Sequence, residues 1–219
     1  MFEGPKRSRS SALREQLLSP SIQKLGLPII GYIAIMFFLI EGPLFFPDQW
    51  AHWETITIIY ALFLLPALIF SLLGVHPFDI PAWKSFAWFG VGSLGGFVVF
   101  KLLFSGAAYN AGFPIGGILP TAIFQIFVIT YAEESMFRGF LLEVGQRRGT
   151  GVGILVSASL FSAFHLAAYS SMGLNFVAFG FAFIMGILFG FIYLTTRDFA
   201  GIGLVWGLHA AFNLVLLFG

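Results

Sequence analysis

Residues 121–142 read TAIFQIFVITYAEESMFRGFLL. A run of this length and apolarity matches the roughly 20 residues that an α-helix needs to cross about 30 Å of hydrocarbon. Yet Glu133, Glu134 and Arg138 stand in its middle, in the pattern E-E-x-x-x-R. One ionised side chain at a bilayer centre costs roughly 2.5 to 3.5 kcal/mol by insertion scales. Three in one segment require compensation, and the usual source is a functional site inside a helix bundle.

The rest of the chain sets this segment in a membrane. Of 219 residues, 58% are hydrophobic and 10% charged, 29 are Phe, and the mean hydropathy of +0.93 lies far outside the range of soluble globular domains. Segments long enough to span fall near residues 26–46, 55–74, 86–106, 117–143, 152–170, 175–195 and 200–218. The expected fold is all-α, a polytopic membrane helix bundle of about seven transmembrane helices, or eight if one has been merged or missed. Connections between the segments are short, so residues 26–219 read as a single transmembrane domain.

Residues 1–25 form a polar, basic arm with Lys6, Arg7, Arg9, Arg14 and Lys24, without the apolar core and cleavage site of a signal peptide. Leu13, Leu17, Leu18 and Ile22 would let part of it lie on the membrane surface, and disorder is an equal alternative. A cytosolic N-terminus places Lys84, Arg147, Arg148 and Arg197 in cytosolic loops or loop ends, whereas residues 47–53, 106–116 and 169–173 contain no Lys or Arg. The positive-inside rule then puts the C-terminus outside, in the plasma membrane if the source is prokaryotic. Lys101 and Glu41 fall near outer helix ends, where snorkelling accounts for them.

Composition also limits the chemistry. The chain has no Cys, which rules out disulfides and thiolate catalysis, and its net charge of +1 says little about partners. The bilayer is the expected partner, and no nucleic acid is. Gly92 to Gly96, Gly186 to Gly190 and Gly203 to Gly207 have the small-residue spacing of close helix packing, here read as packing within the bundle. No internal repeat or phosphate-binding Gly-rich loop stands out.

On a helix with 100° per residue, Glu134 and Arg138 share a face as an i, i+4 pair, while Glu133 points roughly 140° from Arg138. The expectation is a division of labour: Glu134 paired with Arg138, and Glu133 turned to a cavity. Two further apolar segments carry isolated polar residues, with Phe161 and His165 in 152–170 and with His209 and Asn213, again i, i+4, in 200–218. Glu133, His165 and His209 would lie at similar depth, roughly 14 to 20 Å from the cytosolic surface at about 1.5 Å per residue. If their helices are neighbours, their side chains can meet.

Taken together, Glu133-Glu134-Ser-Met-Phe-Arg138-Gly, Phe161-x-x-x-His165 and His209-x-x-x-Asn213 resemble the three-motif signature of the CPBP family, the type II CAAX prenyl proteases and bacteriocin-processing (Abi) membrane proteases. The resemblance covers about residues 117–218, all motif positions are intact, and nothing before residue 110 contributes to it. It implies an intramembrane endopeptidase acting on a membrane-associated peptide or a lipidated, prenylated protein. Guided by it, Glu133 would act as general base on water with help from His165, and His209 and Asn213 would stabilise the oxyanion. Glu134, Arg138 and Phe161 would support the site.

Cofactor use is open between none and Zn²⁺. Glu133, His165 and His209 would be the ligands of a zinc site, but the chain lacks H-E-x-x-H and a metal-free glutamate mechanism suits the residues as well. Competing readings are a small membrane transporter or proton-relay protein, which would also place Glu, His and Arg in the membrane, and a non-catalytic membrane scaffold. A retinal protein is excluded by the lack of Lys in 200–218.

Overall fold

The computed structural model describes residues 60–62, 64, 65, 68, 80–104, 118–165 and 176–218. The expected arm 1–25, the segment 26–46, most of 55–74, and the connections 47–53, 106–116 and 169–173 lie outside the described residues. So does Glu41. The described residues are helical, with no strand among them.

Helix α1 is Ala82–Leu103. The composite α2 follows as α-helix Ile118–Phe124, π-helix Gln125–Ile129, α-helix Thr130–Glu134, π-helix Ser135–Leu142 and α-helix Glu143–Gly145, closed by the 3₁₀ turn Gln146–Arg148. Then come α3 (Thr150–Phe164), α4 (Phe176–Ala200) and α5 (Gly203–Phe218). Tyr60, Ala61, Leu62, Leu64, Leu65 and Leu68 are helical too.

Two of these helices are long and apolar enough to cross a membrane, Ala82–Leu103 and Phe179–Ala200 within α4, each of 22 residues. The helices α3 and α5 are apolar but shorter. The helix expected over 152–170 stops at Phe164, and the one expected from residue 200 starts at Gly203, because α4 runs on to Ala200 and the chain turns at Gly201 and Ile202.

The helix pair α1 and α5 packs in parallel through glycine. A Cβ on Gly203 would lie 2.0 Å from the Ser85 carbonyl oxygen, and one on Gly207 2.2 Å from that of Phe89. Only glycine allows backbones this close. The spacing from Gly203 to Gly207 therefore serves packing within the bundle, as the sequence implied. Gly149, with φ 125°, makes the reversal from the end of α2 into α3 in a conformation that other residues rarely adopt.

The expected uninterrupted α-helix over 117–143 is instead bent twice into the wider π form, on either side of the short α-segment that carries both glutamates. A π turn loosens the carbonyl ladder, so an outside donor can hold it. Each π segment has one. Trp206 of α5 donates its indole Nε1–H to the Ile126 carbonyl at 2.7 Å, and Ser157 of α3 donates its hydroxyl to the Phe137 carbonyl at 2.7 Å.

Trp206 also packs on Phe89, 4.0 Å between ring centroids, and on Tyr131 at 4.9 Å, so one side chain joins α1, α2 and α5. At the far end of α2, Tyr193 of α4 donates to Glu143 Oε1 at 2.7 Å. Arg197 pairs with the same carboxylate and reaches Gln146 at 3.1 Å. With Lys84 in the first turn of α1 near the start of α5, this end of the bundle gathers basic side chains.

Outward faces of α1 and α4 carry Trp83, Phe86, Leu94, Val98, Ile184 and Phe191 exposed. Such an apolar exterior over a core holding buried charge is the inverse of a soluble domain and suits a lipid solvent.

Candidate active site

The segment Thr130–Glu134 places Glu133 and Glu134 in succession on the inner side of α2, with 3% and 0% of their surface exposed. Arg138 is fully buried, and its Nη1 lies 3.1 Å from Glu134 Oε1, making the i, i+4 ion pair across the junction from α to π helix. The guanidinium makes no hydrogen bond of good geometry. Its charge is met by Glu134 and by two aromatic faces, Phe161 at 4.4 Å and Phe189 at 5.6 Å.

His209 of α5 stands between the two glutamates. Its Nδ1 is 2.7 Å from Glu134 Oε1 and its Nε2 is 3.6 Å from Glu133 Oε2. Nδ1 therefore donates to Glu134, and Nε2 faces Glu133 just beyond hydrogen-bond range. Here the structure changes the expected division of labour. Glu134 makes the expected pair with Arg138 and also fixes the orientation of His209. Nor is Glu133 turned away on its own: its Oε1 accepts from Tyr60 Oη at 3.0 Å, and its Oε2 is buried without a hydrogen-bond partner.

Phe161 and His165 form the third wall. His165 follows the last residue of α3, and its Nδ1–H donates to the Phe161 carbonyl at 2.7 Å. That bond selects the tautomer with Nε2 as the basic nitrogen of the neutral ring. The Phe161 ring lies 4.4 Å from the His165 ring and 5.7 Å from that of His209, while its face covers Arg138. The spacing F-x-x-x-H thus joins a ring platform to a helix-end carbonyl. His165 interacts electrostatically with Glu133, His209 and Arg138, which draws it into the same cluster.

Asn213 stands one turn beyond His209 on α5, and its Nδ2 donates to Gln125 Oε1 at 3.3 Å. The structure therefore gathers Glu133, Glu134, Arg138, Phe161, His165 and His209 around one buried centre, and ties Asn213 to its neighbour Gln125. Tyr60 and Gln125 were not among the expected site residues. Gln125 was visible as an amide in the apolar run 121–142, whereas a single Tyr60 in an apolar segment gave no signal.

Among the described residues, no three His, Cys, Asp or Glu side chains form a group that could hold a metal ion. Both His209 nitrogens face carboxylates already tied to Arg138 or Tyr60, and His165 Nδ1 is committed to a carbonyl.

What this arrangement can do follows from its charges. Two carboxylates, one guanidinium and the His209 imidazole meet at this site. A carboxylate oxygen beside an imidazole nitrogen is a pairing suited to adding water across a polarised carbonyl.

No curated protein and no solved structure matches the chain. Residues 115–215 match the family model described as type II CAAX prenyl endopeptidase Rce1-like. The matched stretch includes all three motifs and every helix that lines the cluster except the one carrying Tyr60. The motifs and the match fall on the same stretch, and residues 115–215 are similar to the Rce1-like type II CAAX prenyl endopeptidase family.

Proposed function

We propose that this chain is an intramembrane endopeptidase that cleaves a peptide bond in a membrane-associated or prenylated substrate, with Glu133 activating the attacking water. The observation that carries the reading is Glu133 Oε2, a buried carboxylate oxygen without a hydrogen-bond partner, facing His209 Nε2 at 3.6 Å. A base and a proton-bearing donor stand side by side, with a fixed orientation supplied by Glu134 and Tyr60.

Glu133 Oε2 takes a proton from water as its oxygen bonds to the scissile carbonyl carbon. The carbonyl π electrons move to oxygen, and the oxyanion accepts hydrogen bonds from His209 Nε2–H and from the second Nδ2–H of Asn213. Collapse of the tetrahedral intermediate re-forms the carbonyl and breaks the C–N bond. The leaving nitrogen takes the proton from Glu133, with His165 Nε2 as relay. One water is consumed and the site returns to its starting protonation. Glu134 and Arg138 act through the orientation of His209 and of α2.

A lipidated substrate can enter sideways between helices, because the exterior of the bundle is apolar. The end holding Lys84, Arg148 and Arg197 would face the cytosol, as the positive-inside rule requires.

The test is cleavage by the purified protein in lipid nanodiscs, using a quenched fluorescent peptide ending in a farnesylated CAAX sequence and a panel of unlipidated transmembrane peptides. Wild type should cleave at least one of these probes, and Glu133→Gln should lose about 10²-fold or more of the rate. Equal cleavage by Glu133→Gln sinks the mechanism.

A further inference from the structure

One side chain from outside the family-matched stretch reaches the candidate base. We propose that Tyr60 is a positioning residue of this site, holding Glu133 by Oε1 so that Oε2 is the oxygen that meets water. The inference depends on the endopeptidase reading for its chemistry, but the contact itself does not.

The geometry is specific. Tyr60 Oη donates to Glu133 Oε1 at 3.0 Å across 73 residues of sequence. The other oxygen, Oε2, lies on the His209 side, 3.6 Å from Nε2. A glutamate's terminal torsion is soft and its two oxygens are chemically equivalent, so an unheld carboxylate can present either one in a range of orientations. A phenol bound to one oxygen removes that freedom, and the bond is of the strong kind because the acceptor is charged.

Tyr60 is itself fixed. Its ring meets Phe164 edge-on at 6.4 Å between centroids. With Leu62 and Leu64 it packs against the cluster of Ala132, Met136, Phe161 and Phe164. Phe164 directly precedes His165, so the anchor of the phenol and the position of the histidine depend on the same helix end. The upstream helix thus contributes a polar group to the site as well as apolar packing.

Tyr60→Phe deletes the hydroxyl and keeps the ring and its contact with Phe164. On whichever probe peptide the wild type cleaves, kcat should fall about tenfold or more, the usual scale for a lost hydrogen bond to a charged group, with KM unchanged within about twofold. In a Glu133→Gln background the same substitution should leave the residual rate unchanged, since the group it acts through is gone. Infrared difference spectra without substrate supply a readout independent of activity. The carboxylate band assigned to Glu133 by its loss in Glu133→Gln should shift in Tyr60→Phe. A wild-type kcat in Tyr60→Phe, with Glu133→Gln inactive, overturns the positioning role and leaves the proposed function standing. A raised KM at unchanged kcat overturns it too, since that marks a substrate contact. If Glu133→Gln cleaves normally the function fails instead, and an unshifted Glu133 band in Tyr60→Phe then rejects the contact as well.

Discussion

Glu134 Oε1 meets two nitrogens at once, Arg138 Nη1 at 3.1 Å and His209 Nδ1 at 2.7 Å. One oxygen thus joins the ion pair within α2 to the histidine of α5. Removing one member of a buried pair is costlier than replacing both, because it leaves an uncompensated charge. Glu134→Gln should therefore destabilise the protein by about 3 to 5 kcal/mol, with Glu134→Gln/Arg138→Met recovering part of the loss. Reversible unfolding in detergent would measure both, and equal stability of the single and double variants would contradict the linkage. Cleavage should fall in each, since His209 loses its carboxylate partner in each.

Arg138 also tests chemistry beyond its charge. Its guanidinium carbon lies over the Phe161 ring, 4.4 Å from the centroid, a contact that the compact ammonium of lysine does not reproduce. Arg138→Lys keeps the charge yet should cost about 1 to 2 kcal/mol. Thermal unfolding in nanodiscs would read the change, and wild-type stability in Arg138→Lys would assign the effect to charge alone.

Trp206 holds the first π segment through its indole N–H on the Ile126 carbonyl. Trp206→Phe preserves much of the aromatic packing on Phe89 and Tyr131 but deletes that donor, at a cost of about 1 kcal/mol. Because Gln125 lies in the same π segment and accepts from Asn213, the variant should also lower kcat more than it raises KM. Kinetics on a cleaved probe, compared with Gln125→Ala, would show whether the two act through one element. A Trp206→Phe enzyme with normal kcat would separate the π segment from catalysis.

Gly207 tests the parallel contact of α1 and α5. A methyl group there would lie 2.2 Å from the Phe89 carbonyl oxygen, and backbone cannot move aside as a side chain can. Gly207→Ala should cost about 1 to 3 kcal/mol through overpacking. At Gly180, where a Cβ would meet nothing within 4 Å, the same substitution should be nearly neutral. Unfolding midpoints of the two variants make the comparison.

Chelation is expected to leave cleavage intact, because Glu133 can activate water directly and the described residues hold no group of three His, Cys, Asp or Glu side chains that could bind a metal ion. Activity of the purified protein after dialysis against a chelator, followed by back-addition of zinc, gives the result. Loss on chelation with recovery on zinc would overturn the metal-free mechanism.

Much of the site was legible before any coordinates. Charged residues in an apolar run are costly, so Glu133, Glu134 and Arg138 announced themselves, and i, i+4 spacing was enough to foresee the ion pair. The three motifs also fixed which helices should matter, and the family match covers the same stretch. What the spacing did not give was the second partner of Glu134, His209. A straight helix of constant pitch predicts directions within one segment, but α2 changes pitch on both sides of the glutamates and His209 approaches from another helix.

Sequence by itself determined the apolar character, the helical class and the identity of the polar residues, because each follows from composition and local periodicity. Tertiary structure alone decided that His209 spans both glutamates, that Asn213 answers to Gln125, and that Tyr60 grips Glu133 from 73 residues away. Those relations depend on which helices become neighbours. Close backbone approach at Gly203 and Gly207 and the indole bond from Trp206 set that choice for α5, by distances that no single segment encodes.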